Sequence, residues 1–528
     1  MASGPMIAAK DVAPAETPKQ SKMAELERRV ERALAMGGEA KLARRKAAGL
    51  LNARERIDHL VDPGSYIETG LLGVSSVLAE DRDSTPADGK VAGFARVDGR
   101  PVGVVANDFT VKGASSSLTN MKKIGHVKRV ATERGFPLIF LGESSGARMP
   151  DNMGSRGMGT LLGNDPHQYV RHRESPWVSA ILGQCYGSSA WYSCLSDFIV
   201  MRKGATMAVA SAALASLAIG QQVDPEQLGG WKLHSEVTGL VDRVAGTDEE
   251  ALDQIRLFLS YMPSHNQEAP PVAAVPPGSD AAAAHLADIV PENRRRVYDV
   301  RKIINAIVDK ASFFELKPRF GATAVIGLAR LNGASVGIVA NNPMGKAGAM
   351  DVAACEKITR FLVMCDSFNI PIVLLVDTPG FVIGIEGERM KAPGKIMNFM
   401  TALQMCSVPK FSIIMRKSYG QAYLNMGGGR NSDEVAAWPT AEVSFMDPAY
   451  AVQVVTWGRD VDDEARAALR AQMERDSDVW GMAEIYAVQA VIPPGETRDY
   501  LVRMLDVHTM RRSRGVGKHL MASWPTTF

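Results

Sequence analysis

The sequence predicts an α/β protein built by tandem duplication of one domain. Residues 93–107 and 327–341 are identical at nine of fifteen positions, and a constant offset of 234 residues relates them. Apolar, strand-like segments alternate with helix-like segments in the same order in both halves, which is typical of a sheet covered by helices. Two copies of one folding unit explain both observations better than chance.

The composition is that of a globular protein with a large core. Of its 528 residues, 46% are hydrophobic and 22% are charged, so disorder is excluded as the main state. The formal charge is only +2, which makes nucleic acid a poor candidate partner. Five cysteines without a CxxC pair favour a reducing compartment, so we expect a cytoplasmic protein, or a mitochondrial matrix protein in a eukaryote.

Each copy begins with a helix that leads into a short strand ending in glutamate. This helix is predicted at Ala53–Val61 in the first copy and at Val300–Val308 in the second. Glycine-punctuated apolar segments then predict a hairpin or two neighbouring strands. A longer helix and a wholly apolar strand follow. These are expected at Asn120–Arg134 and Pro137–Leu141, and again at Asp351–Phe368 and Pro371–Val376.

Segments around the repeats set the expected domain boundaries. Residues 1–45 are expected to form a partly helical N-terminal extension with a disordered tail, followed by a first domain at 46–268. Residues 269–290 are rich in proline and alanine, which predicts a stiff linker before a second domain at 291–528. The longest uncharged run, 204–223, is mostly alanine, serine and glycine. It is too weakly apolar for a membrane span and predicts a buried strand and helix.

A serine hydrolase pattern and a pair of histidines each have a simpler interpretation than a functional site. Gly142–Gly146 matches the GxSxG pattern of serine hydrolases, but the corresponding turn Val376–Gly380 contains no serine. A turn shared by both copies is the better interpretation. His167 and His172 are five residues apart, so they do not share a helical face, and no third ligand stands at a recognisable spacing. No metal site is therefore expected.

Two glycine-rich turns occupy equivalent places in the two copies. The first spans Gly183–Ala190 and the second Lys417–Tyr423, and each precedes small residues that can begin a helix. Successive backbone N–H groups at such a turn can point into a cavity and stabilise a carbonyl that becomes an enolate. The pattern alone fits a tight packing turn between strand and helix equally well.

The motifs of this chain, taken in order, resemble the carboxyltransferase (beta) subunits of biotin-dependent acyl-CoA carboxylases over about residues 50–515. The motifs are Ala53–Ile57, Asn107–Val111, Ser145–Arg148, Leu228–Gly230, Asp366–Pro371, Val376–Phe381 and Ala437–Ala441. The resemblance implies two crotonase-like (ClpP/crotonase) domains and a hexamer built from dimers. It also implies an active site between the N-terminal domain of one subunit and the C-terminal domain of its partner.

The resemblance further assigns roles to individual residues. The backbone amides of Gly187 and Ser188 would hold the acyl-CoA carbonyl, and those of Gln421 and Ala422 the ureido carbonyl of biotin. The family commonly has glycine where this chain has Ser188 and Gln421, so bulk is added beside both turns. The remaining implied contacts are Ser145, Gly146, Ala147, Arg148, Tyr186 and Leu424 for the acyl-CoA, and Gly380, Phe381, Gly420 and Tyr423 for biotin.

The implied reaction moves CO2 from carboxybiotin to the alpha, or vinylogous gamma, carbon of an acyl-CoA through an enolate. Coenzyme A is then part of the substrate. The sequence contains neither a biotin-attachment tetrapeptide nor an ATP-binding motif, so a biotin carboxylase and biotin carrier subunit is the expected partner. Two alternatives stay open: a biotin-dependent acyl-CoA decarboxylase subunit, and a biotin-independent crotonase-like hydratase or thioesterase in which Glu143 is the acid or base.

One position bears on the acyl group. Leu424 stands where family members that act on propionyl-CoA commonly carry aspartate, and Tyr186 and Trp191 replace smaller residues near the first turn. The pocket is therefore expected to be apolar and to prefer a branched, longer or ring-bearing acyl group. A lone leucine is also often a core or interface residue, and this alternative stays open.

Overall fold

The chain forms two sheets of the same topology, one from each sequence repeat. The computed structural model describes residues 18–77, 79–161, 169–294 and 296–525. Each sheet has eight strands and is covered by helices, so the predicted α/β class and the tandem duplication are confirmed. The disordered tail predicted at the N-terminus falls in residues 1–17, outside the described residues.

The first sheet joins an antiparallel hairpin to a parallel layer. Its strands are β1 (Ile67–Glu68), β2 (Lys90–Val97), β3 (Arg100–Asn107), β4 (Leu138–Ser144), β5 (Trp177–Tyr186), β6 (Phe198–Arg202), β7 (Thr206–Ala208) and β8 (Arg243–Ala245). They lie in the order β1-β2-β3-β4-β5-β6-β8, with β7 beside the end of β5. The pairs among β1, β2 and β3 are antiparallel, and the remaining pairs are parallel.

The second sheet repeats this plan. Its strands are β9 (Phe314–Leu316), β10 (Ala324–Leu331), β11 (Ala334–Asn341), β12 (Ile372–Thr378), β13 (Lys410–Tyr419), β14 (Glu434–Ala437), β15 (Glu442–Ser444) and β16 (Ala490–Val491). They lie in the order β9-β10-β11-β12-β13-β14-β16, with β15 beside the end of β13. Strand β13 therefore occupies the place of β5, and β15 that of β7.

Helices cover the first sheet and extend beyond it at the N-terminus. They are α1 (Pro18–Leu34), α2 (Glu39–Ala47), α3 (Ala53–Leu60), α4 (Leu118–Arg134), α5 (Met149–Asn152), α6 (Gly154–Leu161), α7 (Ser188–Leu195), α8 (Ala212–Ile219), α9 (Pro225–Gly229) and α10 (Asp248–Tyr261). Side-chain caps define several ends. Asn52 accepts from the amides of Arg54 and Glu55 and so starts α3, while Ser117 accepts from Asn120 and starts α4.

The second set of helices follows the same order. It comprises α11 (Leu286–Ile289), α12 (Val300–Ile307), α13 (Val352–Ser367), α14 (Ile385–Arg389), α15 (Ala392–Met405), α16 (Gln421–Asn425), α17 (Pro448–Val455), α18 (Asp463–Asp476), α19 (Val479–Glu484) and α20 (Thr497–His508). Helices α7 and α16 each begin directly after the central strand of their sheet, so both glycine-rich turns are strand-to-helix turns.

A repeated aspartate fixes the hairpin of each copy. The carboxylate of Asp62 accepts from the amides of Asp98 and Gly99 at 3.0 and 2.8 Å. Asp309 accepts from the amides of residues 332 and 333 at 3.0 and 2.7 Å. These bonds join the end of α3 to the β2–β3 turn and the end of α12 to the β10–β11 turn. The aspartates supply the acceptors that backbone donors at a tight turn need.

The two copies share one hydrophobic core. Phe198 stacks on Phe258, and its ring centroid lies 5.8 Å from that of Phe314 in the second copy. The Tyr261 hydroxyl donates to the Ser312 carbonyl at 2.6 Å. Between the copies, Ala273 of the predicted linker donates to the carbonyl of residue 333 at 2.9 Å. The proline-rich segment therefore packs on the second copy.

For the uncharged run at 204–223, the prediction of a buried strand agrees with the structure and the prediction of a buried helix does not. It contains β7, whose Thr206 and Met207 are buried, and α8. The prediction of a buried helix is wrong, because Leu217 and Ile219 of α8 are 80% and 61% exposed. Within the described ranges, every helix is too short or too polar to cross a membrane.

Candidate active site

The first turn depends on a glycine with a left-handed backbone. Strand β5 ends at Tyr186, Gly187 has φ 62° and ψ −130°, and α7 begins at Ser188. An L-residue would be strained at this φ. A Cβ on Gly187 would also lie 3.6 Å from the Cα of Gly146. The turn therefore approaches the 145–148 loop closely.

The second turn has the same conformation. Gly420 follows β13 with φ 60° and ψ −145°, and α16 begins at Gln421. The amide of Gly420 donates to the Ser444 carbonyl of β15 at 3.0 Å, and the amide of Tyr423 donates back to Gly420 at 3.1 Å. These bonds do not involve the amides of Gln421, which is exposed, and Ala422, which is buried, at the start of the helix.

The first helical turn leaves its amides unpaired at both sites. The amides of Gly187, Ser188, Gln421 and Ala422 have no acceptor among the residues that the structure describes. Helix geometry explains this, because the first four N–H groups of a helix lack intrahelical partners. The positive end of the helix dipole adds to their preference for a negative oxygen. Each turn can therefore bind one partly charged carbonyl oxygen.

A second loop faces each turn and is held by the same backbone bonds. Ser116 donates from its amide to the carbonyl of Gly146 at 2.8 Å and accepts from the amide of Arg148 at 2.9 Å. In the second copy, Met350 bonds to residues 380 and 382 in the same way, at 3.0 and 2.8 Å. Gly146 and Gly380 have φ 104° and 129°. The structure thus brings Ser145, Gly146 and Ala147 to the first turn, and Gly380 and Phe381 to the second.

The side chains that depart from the family pattern take different positions. The Ser188 hydroxyl lies 2.7 Å from the Ser116 hydroxyl, between the first turn and its facing loop. The side-chain amide of Gln421 donates to Oδ1 of Asn425, one turn further along α16, at 3.0 Å. The bulk of Gln421 is therefore directed along its own helix.

Two predicted substrate contacts lie in the interior. Arg148 is buried, and its guanidinium contacts Asp88 at 2.5 Å. Tyr186 is also buried, and its hydroxyl lies 3.0 Å from the Thr206 hydroxyl of β7. Both side chains support the walls of the site from behind, and their proposed contact with substrate stays a prediction.

The residues after Ala422 rest on a glycine loop. The hydroxyl of Tyr423 accepts from the amide of Gly429 at 3.0 Å. Leu424 is half-buried, and its Cδ2 lies 2.6 Å from the place that a Cβ on Gly429 would take. Because glycine leaves this space open, the Leu424 side chain can lie across the loop.

Glu143 is held by two arginines. Arg56 donates to its carboxylate at 2.7 Å, and both terminal nitrogens of Arg45 donate at 2.9 Å. Burial alone would raise the pKa of Glu143, but the charges and hydrogen bonds of the two arginines outweigh it and lower the pKa. Asp377 is its counterpart near the end of β12 and binds Arg416 at 2.9 Å. A carboxylate locked in this way is a structural anchor and a poor general acid or base.

The charged network behind the second turn was not predicted from the sequence. The hydroxyl of Tyr419 donates to Glu442 at 2.7 Å and accepts from Arg294 at 3.0 Å. Arg294 also binds Asp447 at 2.9 Å. The equivalence of Tyr186 and Tyr419, each directly before the turn glycine, was the one available signal.

The candidate histidines do not form a metal site in the described part of the chain. His172 contacts the hydroxyl of Ser523 at 2.7 Å, and His167 lies outside the described residues. The described ranges contain no cluster of three or more histidine, cysteine or acidic side chains that could hold a metal ion.

Known proteins are similar to this chain over nearly its whole length. Residues 44–519 match the family model described as the carboxyl transferase domain. The chain is 35% identical to the propionyl-CoA carboxylase carboxyltransferase subunit of Haloferax mediterranei, covering 95% of this chain and 98% of that protein. It is 32% identical to the methylmalonyl-CoA decarboxylase subunit alpha of Veillonella parvula, covering 95% and 98%.

A solved structure is also similar over nearly the whole chain. It is transcarboxylase 12S, described as a hexamer assembly with methylmalonyl-coenzyme A and methylmalonic acid bound. Its TM-score is 0.86 at 32% identity, covering 94% of this chain and 96% of that one. The crotonase-like assignment of both domains agrees with this match.

Replacing Glu143 by glutamine should destabilise the fold, because Arg45 would lose its buried carboxylate partner and Arg56 would be left with Asp248. We expect the free energy of unfolding to fall by about 3–5 kcal/mol, measured by chemical denaturation. The matched control is Glu133→Gln, since Glu133 forms an exposed pair with Arg129; its loss should cost below about 1 kcal/mol. Equal stability of Glu143→Gln and wild type would contradict the anchoring role.

Proposed function

The chain belongs to the carboxyl transferase family, and from this premise we propose that it is the carboxyltransferase subunit of a biotin-dependent acyl-CoA carboxylase. The observation that carries the proposal is the pair of strand-to-helix turns, one per copy, with unpaired amides at Gly187 and Ser188 and at Gln421 and Ala422. A reaction that joins two ligands, each with a carbonyl oxygen that gains negative charge, needs two such sites.

The residues at the second turn fit the carbonyl of biotin. Gly380 and Gly420 have no side chains, and space around a Cβ on Gly380 is open to at least 4 Å, so a flat ring can approach the backbone. When bound, biotin supplies an activated carboxyl group and a nitrogen that can take up a proton. The amides of Gln421 and Ala422 would hold its ureido oxygen, and Phe381 and Tyr423 would border the ring.

The first turn would hold the thioester carbonyl of the acyl-CoA. The amides of Gly187 and Ser188 stabilise the oxygen as the alpha carbon loses its proton, because charge then moves onto that oxygen. The 145–147 segment would lie along the substrate. Orientation and electrostatics supply the catalysis in this scheme, which agrees with the locked state of Glu143 and argues against the biotin-independent hydratase or thioesterase.

Exposed apolar surfaces support assembly of several copies. Helix α8 of the first copy and α17 of the second occupy equivalent places after β7 and β15. Leu217 of α8 is 80% exposed, and Trp457, two residues after α17, is 85% exposed. Apolar patches of this kind usually mark subunit interfaces. We propose a homo-oligomer, in hexamer form like transcarboxylase 12S, in which partner subunits bring a first turn and a second turn together.

The partner that carries biotin would be a separate biotin carboxylase and carrier subunit. The relatives support this, because their names describe subunits and the chain covers 98% of the Haloferax protein. The decarboxylase is the second candidate, since the Veillonella relative has that name. A biotin carboxylase that co-purifies from the native host would favour the carboxylase, and an integral membrane partner would favour the decarboxylase.

The isolated chain should not fix bicarbonate at the expense of ATP, because it would lack the carboxylase and carrier functions. Adding the cognate biotinylated partner should restore acyl-CoA carboxylation. Incorporation of labelled bicarbonate into an acyl-CoA panel, with and without the partner, measures this. Robust ATP-dependent carboxylation by the isolated chain would overturn the proposed division of labour.

Ala422→Pro should abolish carboxyl transfer, because proline has no backbone N–H. Loss of one oxyanion donor costs about 3–4 kcal/mol, or roughly 100- to 1000-fold in kcat. The helix itself does not use this amide, since it lies in the first turn. Ala422→Gly is the matched control that keeps the donor and should stay active. Melting temperature and oligomer size test whether the fold persists; near-normal turnover of a folded Ala422→Pro oligomer would exclude the role.

Leu424→Asp should shift the acyl-group preference toward short substrates, because a charge replaces an apolar wall two residues beyond Ala422. One methylene is worth about 1–3 kcal/mol in an apolar pocket, so the shift should be graded. Values of kcat/KM across acetyl-, propionyl-, methylcrotonyl- and longer acyl-CoAs measure it. If every substrate loses the same factor, Leu424 supports the fold or an interface and does not contact the acyl chain.

A further inference from the structure

A pair of hydroxyls is present at the first turn and absent from the second. Ser116 and Ser188 contribute the pair. Their counterparts in the second copy are Met350, at the offset of 234 residues, and Gln421, which likewise follows the turn glycine. The apolar Met350 cannot form such a bond, and the side chain of Gln421 is bound to Asn425. The fold of the turn therefore does not require the two hydroxyls.

Backbone bonds already hold the facing loop in both copies. The bond between Ser116 and Gly146 is 2.8 Å, and its counterpart between Met350 and Gly380 is 3.0 Å. The glycines Gly187 and Gly420 have φ angles of 62° and 60°. The two turns therefore have the same backbone geometry, although one has a serine pair and the other has a methionine and a glutamine. A purely structural role does not explain why the serine pair is present.

The hydroxyl pair lies where the first turn meets its facing loop. Ser188 is the first residue of α7 and directly follows Gly187, which approaches Gly146 closely. Ser116 is 5% exposed and is bonded through its backbone to Gly146. Ser188 is half-buried, so its hydroxyl is supported from inside the protein by Ser116.

The two serine hydroxyls together have one proton that is not used between them. Two hydroxyls carry two protons, and the 2.7 Å contact between Ser116 and Ser188 uses one of them. Neither hydroxyl has another hydrogen-bond partner within the described residues. When Ser116 donates to Ser188, the proton of Ser188 is available to a ligand, and the received bond strengthens it as a donor.

We infer that the Ser188 hydroxyl is a further catalytic group, which donates a third hydrogen bond to the thioester oxygen held by the amides of Gly187 and Ser188. Ser116 is a positioning residue that orients this hydroxyl. The inference rests on the proposed function, in which this oxygen becomes an enolate. A donor aimed at that oxygen acts mainly in the transition state, because the charge on the oxygen is largest there.

The reaction that tests the inference needs no partner protein. The homo-oligomer is supplied with free biotin and a panel of carboxylated acyl-CoAs that includes methylmalonyl-CoA, and biotin-dependent release of the decarboxylated acyl-CoA is followed. Ser188→Ala should lower kcat about tenfold with KM within about twofold, as expected for an interaction made in the transition state. Ser188→Thr, which keeps the hydroxyl, should recover most of the loss. Ser116→Ala should lower kcat less, and the double variant should resemble Ser188→Ala because the two residues act together.

A matched control lies on the same helix. The hydroxyl of Ser193 donates to the carbonyl of Ser189 at 2.9 Å and points into the protein, so Ser193→Ala should keep wild-type kcat. Affinity for propionyl-CoA, measured by calorimetry, should be the same for wild type and Ser188→Ala. This second readout does not depend on biotin.

The outcomes separate the inference from the proposed function. Absence of biotin-dependent activity with every acyl-CoA tested in the wild type would count against the proposed function. Wild-type kcat in Ser188→Ala, with an active wild type, would refute only the role of the hydroxyl. A lower melting temperature and a weaker affinity for propionyl-CoA in Ser188→Ala, at unchanged kcat, would identify the pair as a structural latch and also overturn the inference.

Discussion

The positive φ of one glycine at the end of each central strand is the constraint on which the site depends. Gly187 and Gly420, at φ 62° and 60°, turn the chain so sharply that a helix begins at the next residue. The first amides of that helix have no intrahelical acceptors. Parallel pairing of β4 with β5, and of β12 with β13, places a second glycine loop against each turn.

Much of the remaining structure keeps these turns in place. The buried acids Glu143 and Asp377 lie near the ends of β4 and β12 and bind arginines, so they fix the strand ends next to the loops. Tyrosines directly before the turn glycines bond to the short strands β7 and β15, through Thr206 in one copy and Glu442 in the other. The copies have kept the turn and changed its surroundings, which is the pattern expected when one scaffold serves two ligands.

Sequence patterns were sufficient for the fold because the duplication repeats every strong signal. The predicted helix Ala53–Val61 ends at Leu60, and the strand predicted at Pro371–Val376 runs from Ile372 to Thr378. The exposed helix α8 could not be predicted, since an apolar sequence does not say whether its cover is the same chain or another copy. The equivalent turns were found from their glycines. Contacts between distant residues, such as the bond from Ser116 to Ser188, leave no local pattern and needed the structure.

The core shared by the copies has a consequence for how the protein melts. Arg243 beside β6 donates to the carbonyl of Glu315 at 3.2 Å, and Lys317 pairs with Asp242 at 3.0 Å. Together with the contact between Phe198 and Phe314, these contacts mean that each half shields apolar side chains of the other from water. The two repeats therefore form a single cooperative unit in unfolding, and neither half, expressed without the other, would keep its apolar side chains away from water.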